Sequence, residues 1–254
     1  MRTKLLYSDR VPILEKIIRY ERIEKMMYRT NLYVHKERIM AMIQNMYPFI
    51  SRIYPKFNLE LALTIADYHD DIEIIIGDIS LQLKLLMNQS EKEILQEKEK
   101  MAIKKLLPIY PDKIGEEKKF KTKTILEKAH EKNCLESQFC SFVDKLDGMN
   151  EALHEIFAGN IIFLEPVINY LTKTLDNTDQ KFFLIKELFK LDNPLFSFPV
   201  VNLCDYFDSG RKIATPHTKK SILTKTGIPH YDFWREVTIS RFGSDLLTKQ
   251  IEFH

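Results

Sequence analysis

The sequence is poor in residues that interrupt helices and in residues that cross-link chains. Its 254 residues include only seven glycines and ten prolines. Long stretches rich in Leu, Ile, Lys and Glu contain neither residue, which favours a mostly helical protein. The three cysteines, Cys134, Cys140 and Cys204, show no CxxC spacing. This argues against a disulfide framework and against a thiolate zinc site.

The sequence also lacks a long apolar run and an excess of charge of one sign. No stretch is long and apolar enough to span a bilayer, and residues 1–22 lack the apolar core of a signal peptide. With 38 basic and 36 acidic residues, the formal net charge is only +2. We therefore expect a cytoplasmic protein without a membrane partner. Residues 211–254 are locally basic, but such clusters are usually solvated surface, so a nucleic-acid partner is not expected.

Apolar residues at helical spacing predict an all-α fold. The predicted helices cover about 11–28, 33–47, 59–76, 90–107 and 136–157, with another near 124 and two within 161–192. Gly77 should end the third helix, and Ser90 with Glu93 should form a capping box that opens the fourth. After residue 192 the helical periodicity fades and aromatic residues accumulate. We predict a helical domain over residues 1–192 and a C-terminal extension, 193–254, that packs on it.

The segment around His69 carries the clearest chemical signal. On a helix, His69 and Glu73 are i,i+4 neighbours, and Asp70 and Glu73 are i,i+3 neighbours. Ala62 and Ala66 lie on the preceding turns, so this side is expected to face inward. An inward-facing histidine with two carboxylates needs compensation, and a divalent cation supplies it.

Two further residues on other helices extend this pattern. His35 continues the apolar stripe of the second helix by one turn, and Asp144 lies at the edge of the amphipathic helix 136–157. Taken alone, each has a simpler interpretation, as a core histidine or as part of a solvated face. Together with His69 and Asp70, they predict one metal site built from three helices, able to activate water and polarise a phosphate.

The segments resemble, in order and spacing over about residues 10–160, the 5'-deoxynucleotidase-like branch of the HD-domain superfamily. The resemblance depends on Arg29-Thr30-Asn31 before His35, on His69-Asp70 followed by Glu73 and Gly77-Asp78, and on Asp144 before Ala158-Gly159-Asn160. It implies an HD-type helical bundle.

The resemblance also implies roles for individual residues. His35, His69, Asp70 and Asp144 would hold one divalent metal ion, either Mn, Co, Ni, Zn or Mg. Glu73 would position or deprotonate the attacking water. Asp78 would contact the sugar hydroxyl and Arg29 the substrate phosphate.

The leading hypothesis is therefore hydrolysis of a (deoxy)nucleoside 5'-monophosphate to nucleoside and phosphate. One alternative is a hydrolase of nucleoside triphosphates or signalling nucleotides. Another is a non-catalytic nucleotide-binding HD protein, although such a protein has no need of a water-activating carboxylate. A homodimer is compatible with the sequence.

Overall fold

The computed structural model describes residues 5–20, 30–157, 160–163, 166, 169–170 and 182–190. The α-helices are α1 (Arg10–Leu14), α2 (Leu32–Ile53), α3 (Leu59–Tyr68), α4 (Glu73–Ile76), α5 (Leu81–Leu86), α6 (Gln89–Leu106), α7 (Thr122–Glu131) and α8 (Leu135–Phe157). Short 3-10 helices cover Tyr7–Asp9, Glu116–Lys118, Ile161–Phe163 and Phe183–Lys190. Strands β1 (Lys113–Ile114) and β2 (Phe120–Lys121) form an antiparallel pair. The predicted all-α class is confirmed.

The chain divides into two compact units. The first comprises residues 1–22 and 29–143, and the second comprises residues 23–28 and 144–254. The boundary falls inside α8, between Val143 and Asp144. Within the first unit, α2 packs against α3, α3 packs against α7, and α6 contacts both α4 and α7.

The core of the first unit is formed by the apolar stripes of its long helices. Met42, Ile43, Met46 and Ile50 of α2 are completely buried. Ala62 and Ala66 of α3 are equally buried, and their small side chains allow α2 and α3 to approach closely. The His35 side chain continues this buried stripe toward the N-terminus of α2, as the sequence predicted.

The first helix is much shorter in the structure than its apolar pattern predicts. Helix α1 ends at Leu14, and the backbone then forms an isolated antiparallel bridge between Ile18 and Asn31. The bridge is closed by hydrogen bonds from Arg19 N to Thr30 O (3.0 Å) and from Leu32 N to Ile17 O (3.1 Å). The prediction of one helix from residue 11 is therefore wrong over residues 15–20, because this pairing takes up the backbone groups that the helix would use.

Helix α2 passes through Pro48, where the sequence predicted its end, and continues to Ile53. Proline removes one helical hydrogen bond and strains the preceding turn. Met46 and Ile50, on either side, are both completely buried. We attribute the continuation to this burial, which offsets the loss of one hydrogen bond.

The predicted helix 59–76 is interrupted at its chemically important residues. Helix α3 ends at Tyr68, residues 69–72 form a turn, and α4 begins at Glu73. His69, the C-cap of α3, keeps right-handed helical torsion angles, so the chain direction changes little. Gly77 does end this segment, with φ of 79°, a conformation that favours glycine.

Two other boundaries differ from their predictions. The capping box of α6 is formed by Asn88 and Glu91, two residues earlier than predicted, while the end at Leu106 agrees. The sequence predicted no element between residue 107 and the helix near 124, where the structure has the β1–β2 pair, with Gly115 (φ 84°) between its strands and against Thr64 of α3. Strands of two residues leave no periodic pattern in the sequence.

Helix α8 agrees with its prediction within one residue. The extension 193–254 lies outside the described residues, so its packing stays a prediction. Among the helices that the structure describes, none combines the length and apolarity needed to cross a membrane.

Candidate metal centre

His35, His69 and Asp70 come together in the first unit. One potential ligand atom from each lies within 4.8 Å of the other two. His35 Nε2 is 3.6 Å from Asp70 Oδ2, and His69 Nε2 is 3.1 Å from Asp70 Oδ1. The two imidazole centroids are 5.5 Å apart. Two imidazole nitrogens and a carboxylate converging on one point form a donor set that suits a divalent transition metal.

Helix α2 brings His35 into this cluster from its first turn. The Asn31 side chain caps α2 by accepting a hydrogen bond from Val34 N (2.9 Å). The cap therefore holds the first turn of α2, which carries His35, in place. The His35 side chain is completely buried.

A local hydrogen bond fixes the orientation of the His69 ring. His69 Nδ1 lies 2.7 Å from the carbonyl oxygen of Ala66. A carbonyl oxygen only accepts, so Nδ1 carries the proton and donates. With the proton on Nδ1, the ring presents Nε2, which lies 3.1 Å from Asp70 Oδ1, as the nitrogen that would ligate a metal ion.

Two carboxylates, those of Glu73 and Asp78, extend the site beyond the cluster. Burial raises the pKa of Glu73 well above its ordinary 4.5, and the negative charges of Asp70 and Asp78 raise it further. Burial also raises the pKa of Asp78, while the positive charge of Arg19 opposes that shift. Mutual repulsion among Asp70, Glu73 and Asp78 makes this region one that a bound cation would stabilise.

Glu73 has a second feature that favours a ligand. Its Oε2 is fully buried and has no hydrogen-bond partner among the described residues. Leaving such an atom unsatisfied is unfavourable unless water or an ion approaches it. The residues present therefore fit a divalent cation held by His35, His69 and Asp70. Glu73 is electrostatically coupled to Asp70 of this cluster.

The other predicted site residues have different outcomes. Asp144 lies on α8 in the second unit, where its carboxylate is ion-paired with Lys145. Its role as a fourth ligand stays a prediction. Asp78 follows Gly77 and is electrostatically coupled to Asp70. Arg29 lies outside the described residues.

Arg19 is a candidate that the sequence reasoning missed. The positive charges of Lys84 and Arg19 both act on Glu73 and Asp78 and oppose the rise in the pKa of each carboxyl. The backbone of Arg19 is fixed beside the start of α2 by the Ile18–Asn31 bridge, which no periodic pattern in the sequence predicts.

Comparison with known proteins places these observations in a family. The sequence profile of the family described as 5'-deoxynucleotidase YfbR-like matches residues 7–185. No curated protein matches the chain. A solved structure of a conserved hypothetical protein from Pyrococcus furiosus is similar, with a TM-score of 0.51 and 21% sequence identity. That match covers 71% of this chain and 95% of the other, and it indicates a shared fold.

Proposed function

Because the chain belongs to the YfbR-like 5'-deoxynucleotidase family, we propose that it hydrolyses (deoxy)nucleoside 5'-monophosphates in a metal-dependent reaction. The observation that carries this proposal is the His35–His69–Asp70 cluster, with His69 held in the ligand tautomer by Ala66. Asp144 is proposed as the fourth ligand on the basis of the sequence resemblance. A divalent cation bound there would polarise the phosphate and make water more acidic.

Glu73 is the proposed general base. Its carboxyl is electrostatically coupled to Asp70, a proposed ligand, and its Oε2 has no hydrogen-bond partner among the described residues, which supports a position from which it can accept a proton from water. In the proposed reaction, Glu73 accepts a proton from water as the water oxygen bonds to phosphorus. The bond between phosphorus and the 5'-oxygen breaks, and the nucleoside leaves after that oxygen takes up a proton.

Two residues are proposed to bind the substrate. Arg19 neutralises phosphate charge, since it already acts on Glu73 and Asp78 at the same site. Asp78 accepts a hydrogen bond from a sugar hydroxyl, as the resemblance implies. Arg29, which the sequence resemblance assigns to the phosphate, is the alternative to Arg19 as the phosphate-binding residue.

A phosphate-release screen tests the proposal. The purified protein, supplied in turn with Mn, Co, Ni, Zn and Mg, is incubated with nucleoside 5'-mono-, di- and triphosphates, and with 3'-monophosphates as a positional control. We expect inorganic phosphate from 5'-monophosphates only when metal is present. Release of pyrophosphate or tripolyphosphate from triphosphates would favour the alternative hydrolase. Absence of any product, with nucleotide binding retained, would favour a non-catalytic protein.

A further inference from the structure

We propose that four charged residues, Arg10, Lys36, Asp67 and Asp71, of which all but Asp67 are buried, position the metal ligands before any metal binds. This inference deepens the proposed function and rests on it. We call these four residues the charge clamp. Two of them adjoin predicted ligands in the sequence, since Lys36 follows His35 and Asp71 follows Asp70, and Asp67 lies two residues before His69.

Arg10 spans the turn that carries the ligands. Its Nε donates to Asp71 Oδ2 (2.7 Å), and its Nη2 lies 3.2 Å from Asp67 Oδ1. Nη2 also donates to the backbone carbonyl of Asp67. The Arg10 guanidinium therefore contacts both ends of the segment 67–71. His69 and Asp70 lie between the two contacted residues.

Lys36 joins this turn to the helix that carries His35. Its Nζ donates to Asp67 Oδ1 (2.6 Å) and to Glu37 Oε1 (3.0 Å). Lys36 and His35 are adjacent on α2, and Asp67 lies two residues before His69. The ion pair therefore holds the two histidine-bearing segments at a fixed separation.

Aromatic residues pack around Arg10 and Asp71 of the clamp, while the Asp67 side chain remains 25% exposed. The Arg10 guanidinium lies over the Tyr68 ring, 4.0 Å from its centroid. Tyr110 donates from its hydroxyl to Asp71 Oδ2 (2.8 Å), and the Tyr7 and Tyr68 hydroxyls lie 2.6 Å apart. Arg10 and Lys36 are each only 6% exposed and Asp71 only 1%.

Burial of this much charge is a poor way to gain stability alone. Replacing a buried ion pair by apolar residues of similar volume is often neutral or stabilising. Directional contacts between charged groups instead fix geometry, and metal ligands need such support from neighbouring groups. The clamp contacts the segments that carry the ligands, and none of the contacts described above uses a ligand side chain.

The test compares the metal affinity of a clamp variant with that of a control variant, and the stability of each is measured separately. The double variant Lys36→Met/Asp67→Leu removes both partners of the α2–α3 ion pair, so neither charge is left behind without the other. Arg10 remains paired with Asp71. The control is Ile50→Ala, which changes a buried residue of the same α2 helix, about 22 Å beyond His35 along the helix axis. Thermal unfolding of metal-free protein ranks stability, and titration with Mn(II), followed by electron paramagnetic resonance, gives the Kd.

We expect the double variant to weaken Mn(II) binding by about 10- to 100-fold, and the control to bind as the wild type does. A wild-type Kd in the double variant would overturn the inference.

Tyr110→Phe keeps the test decisive if the double variant does not fold. It removes one hydrogen bond to Asp71 and no charge, so we expect a measurable but smaller rise in Kd, less than about tenfold, at nearly wild-type stability. Unchanged Mn(II) affinity in this variant would then reject the clamp. A wild-type protein that binds Mn(II) but releases no phosphate would reject the proposed function and leave the clamp to be judged on Kd alone.

Discussion

The Nδ1 proton of His69 is held by the carbonyl oxygen of Ala66, one turn earlier in α3, at 2.7 Å. This contact is made within one short segment of the chain. Orientation of this ligand therefore depends on the last turn of α3, whereas its distance from His35 depends on how α2 and α3 pack.

The first prediction is that one divalent ion binds per chain and stabilises the fold. A ligand present at 100 times its Kd raises the free energy of unfolding by about 2.7 kcal/mol. Mn(II) or Co(II) should therefore raise Tm, and a chelator should reverse the change. Asp70→Asn should lose most of the increase, because it removes the carboxylate that lies near both histidines. An equal increase in Asp70→Asn would contradict the assigned site.

The second prediction separates proton transfer from metal binding. Glu73→Gln keeps the shape of the side chain but cannot accept a proton from water. We expect kcat to fall by about 10²–10⁴-fold while the Mn(II) Kd changes little. Glu97→Gln is the matched control, since Glu97 is exposed on α6 and pairs only with Lys100 among the contacts described. Near wild-type turnover in Glu73→Gln would mean that another group is the base.

The third prediction decides between two arginines. If Arg19 binds the phosphate, Arg19→Ala should raise KM for 5'-monophosphates by about tenfold or more, the equivalent of one lost charge-assisted hydrogen bond. Arg29→Ala should have a small effect. Arg52→Ala, at the exposed C-terminal end of α2, serves as the control. The reverse order of effects would restore the assignment that the sequence suggested.

The fourth prediction concerns pH in the metal-free protein. Burial raises the pKa of Glu73 above 4.5 and that of Asp71 to about 6. The folded state therefore holds protons that the unfolded chain has already released, and these two groups make stability fall as pH rises from about 4 toward neutrality. Chemical denaturation at several pH values should show a flatter dependence in Glu73→Gln. An identical slope in the two proteins would argue against the raised pKa of Glu73.

The fifth prediction concerns packing around α8 in the second unit. A methyl group placed on Gly148 would lie 2.4 Å from the Tyr170 hydroxyl oxygen and 2.8 Å from Cζ. Helix propensity alone would favour Gly148→Ala by about 1 kcal/mol. Overpacking against buried Tyr170 should reverse the sign and cost about 1–3 kcal/mol. Tyr170→Ala in the same chain should relieve the strain, and its failure to do so would contradict this contact.

The sequence predicted the fold class and singled out the three residues that the structure brings together, His35, His69 and Asp70, whereas the roles of the site residues stay predictions. His35 was recognisable because it extends a stripe of buried residues at helical spacing. His69, Asp70 and Glu73 were recognisable because three polar groups stood on an otherwise apolar side. These signals are local, and they survive even though the chain turns between α3 and α4.

Features that depend on distant pairing were not predictable in this way. The backbone of Arg19 is fixed beside the start of α2 by the Ile18–Asn31 bridge, and Arg10 contacts Asp67 and Asp71 about 60 residues away in the chain. Apolar periodicity reports on one element at a time, so it gives no information about such contacts. The continuation of α2 past Pro48 was missed for the same reason, since it depends on what Met46 and Ile50 pack against.

The Ile18–Asn31 bridge fixes the backbone of Arg19 beside the N-terminus of α2. Arg19 and the start of α2 are joined by backbone hydrogen bonds, so their separation in space is set there and not by the number of residues between them. The interval from an arginine to His35 is consequently a poor guide to which arginine corresponds between relatives.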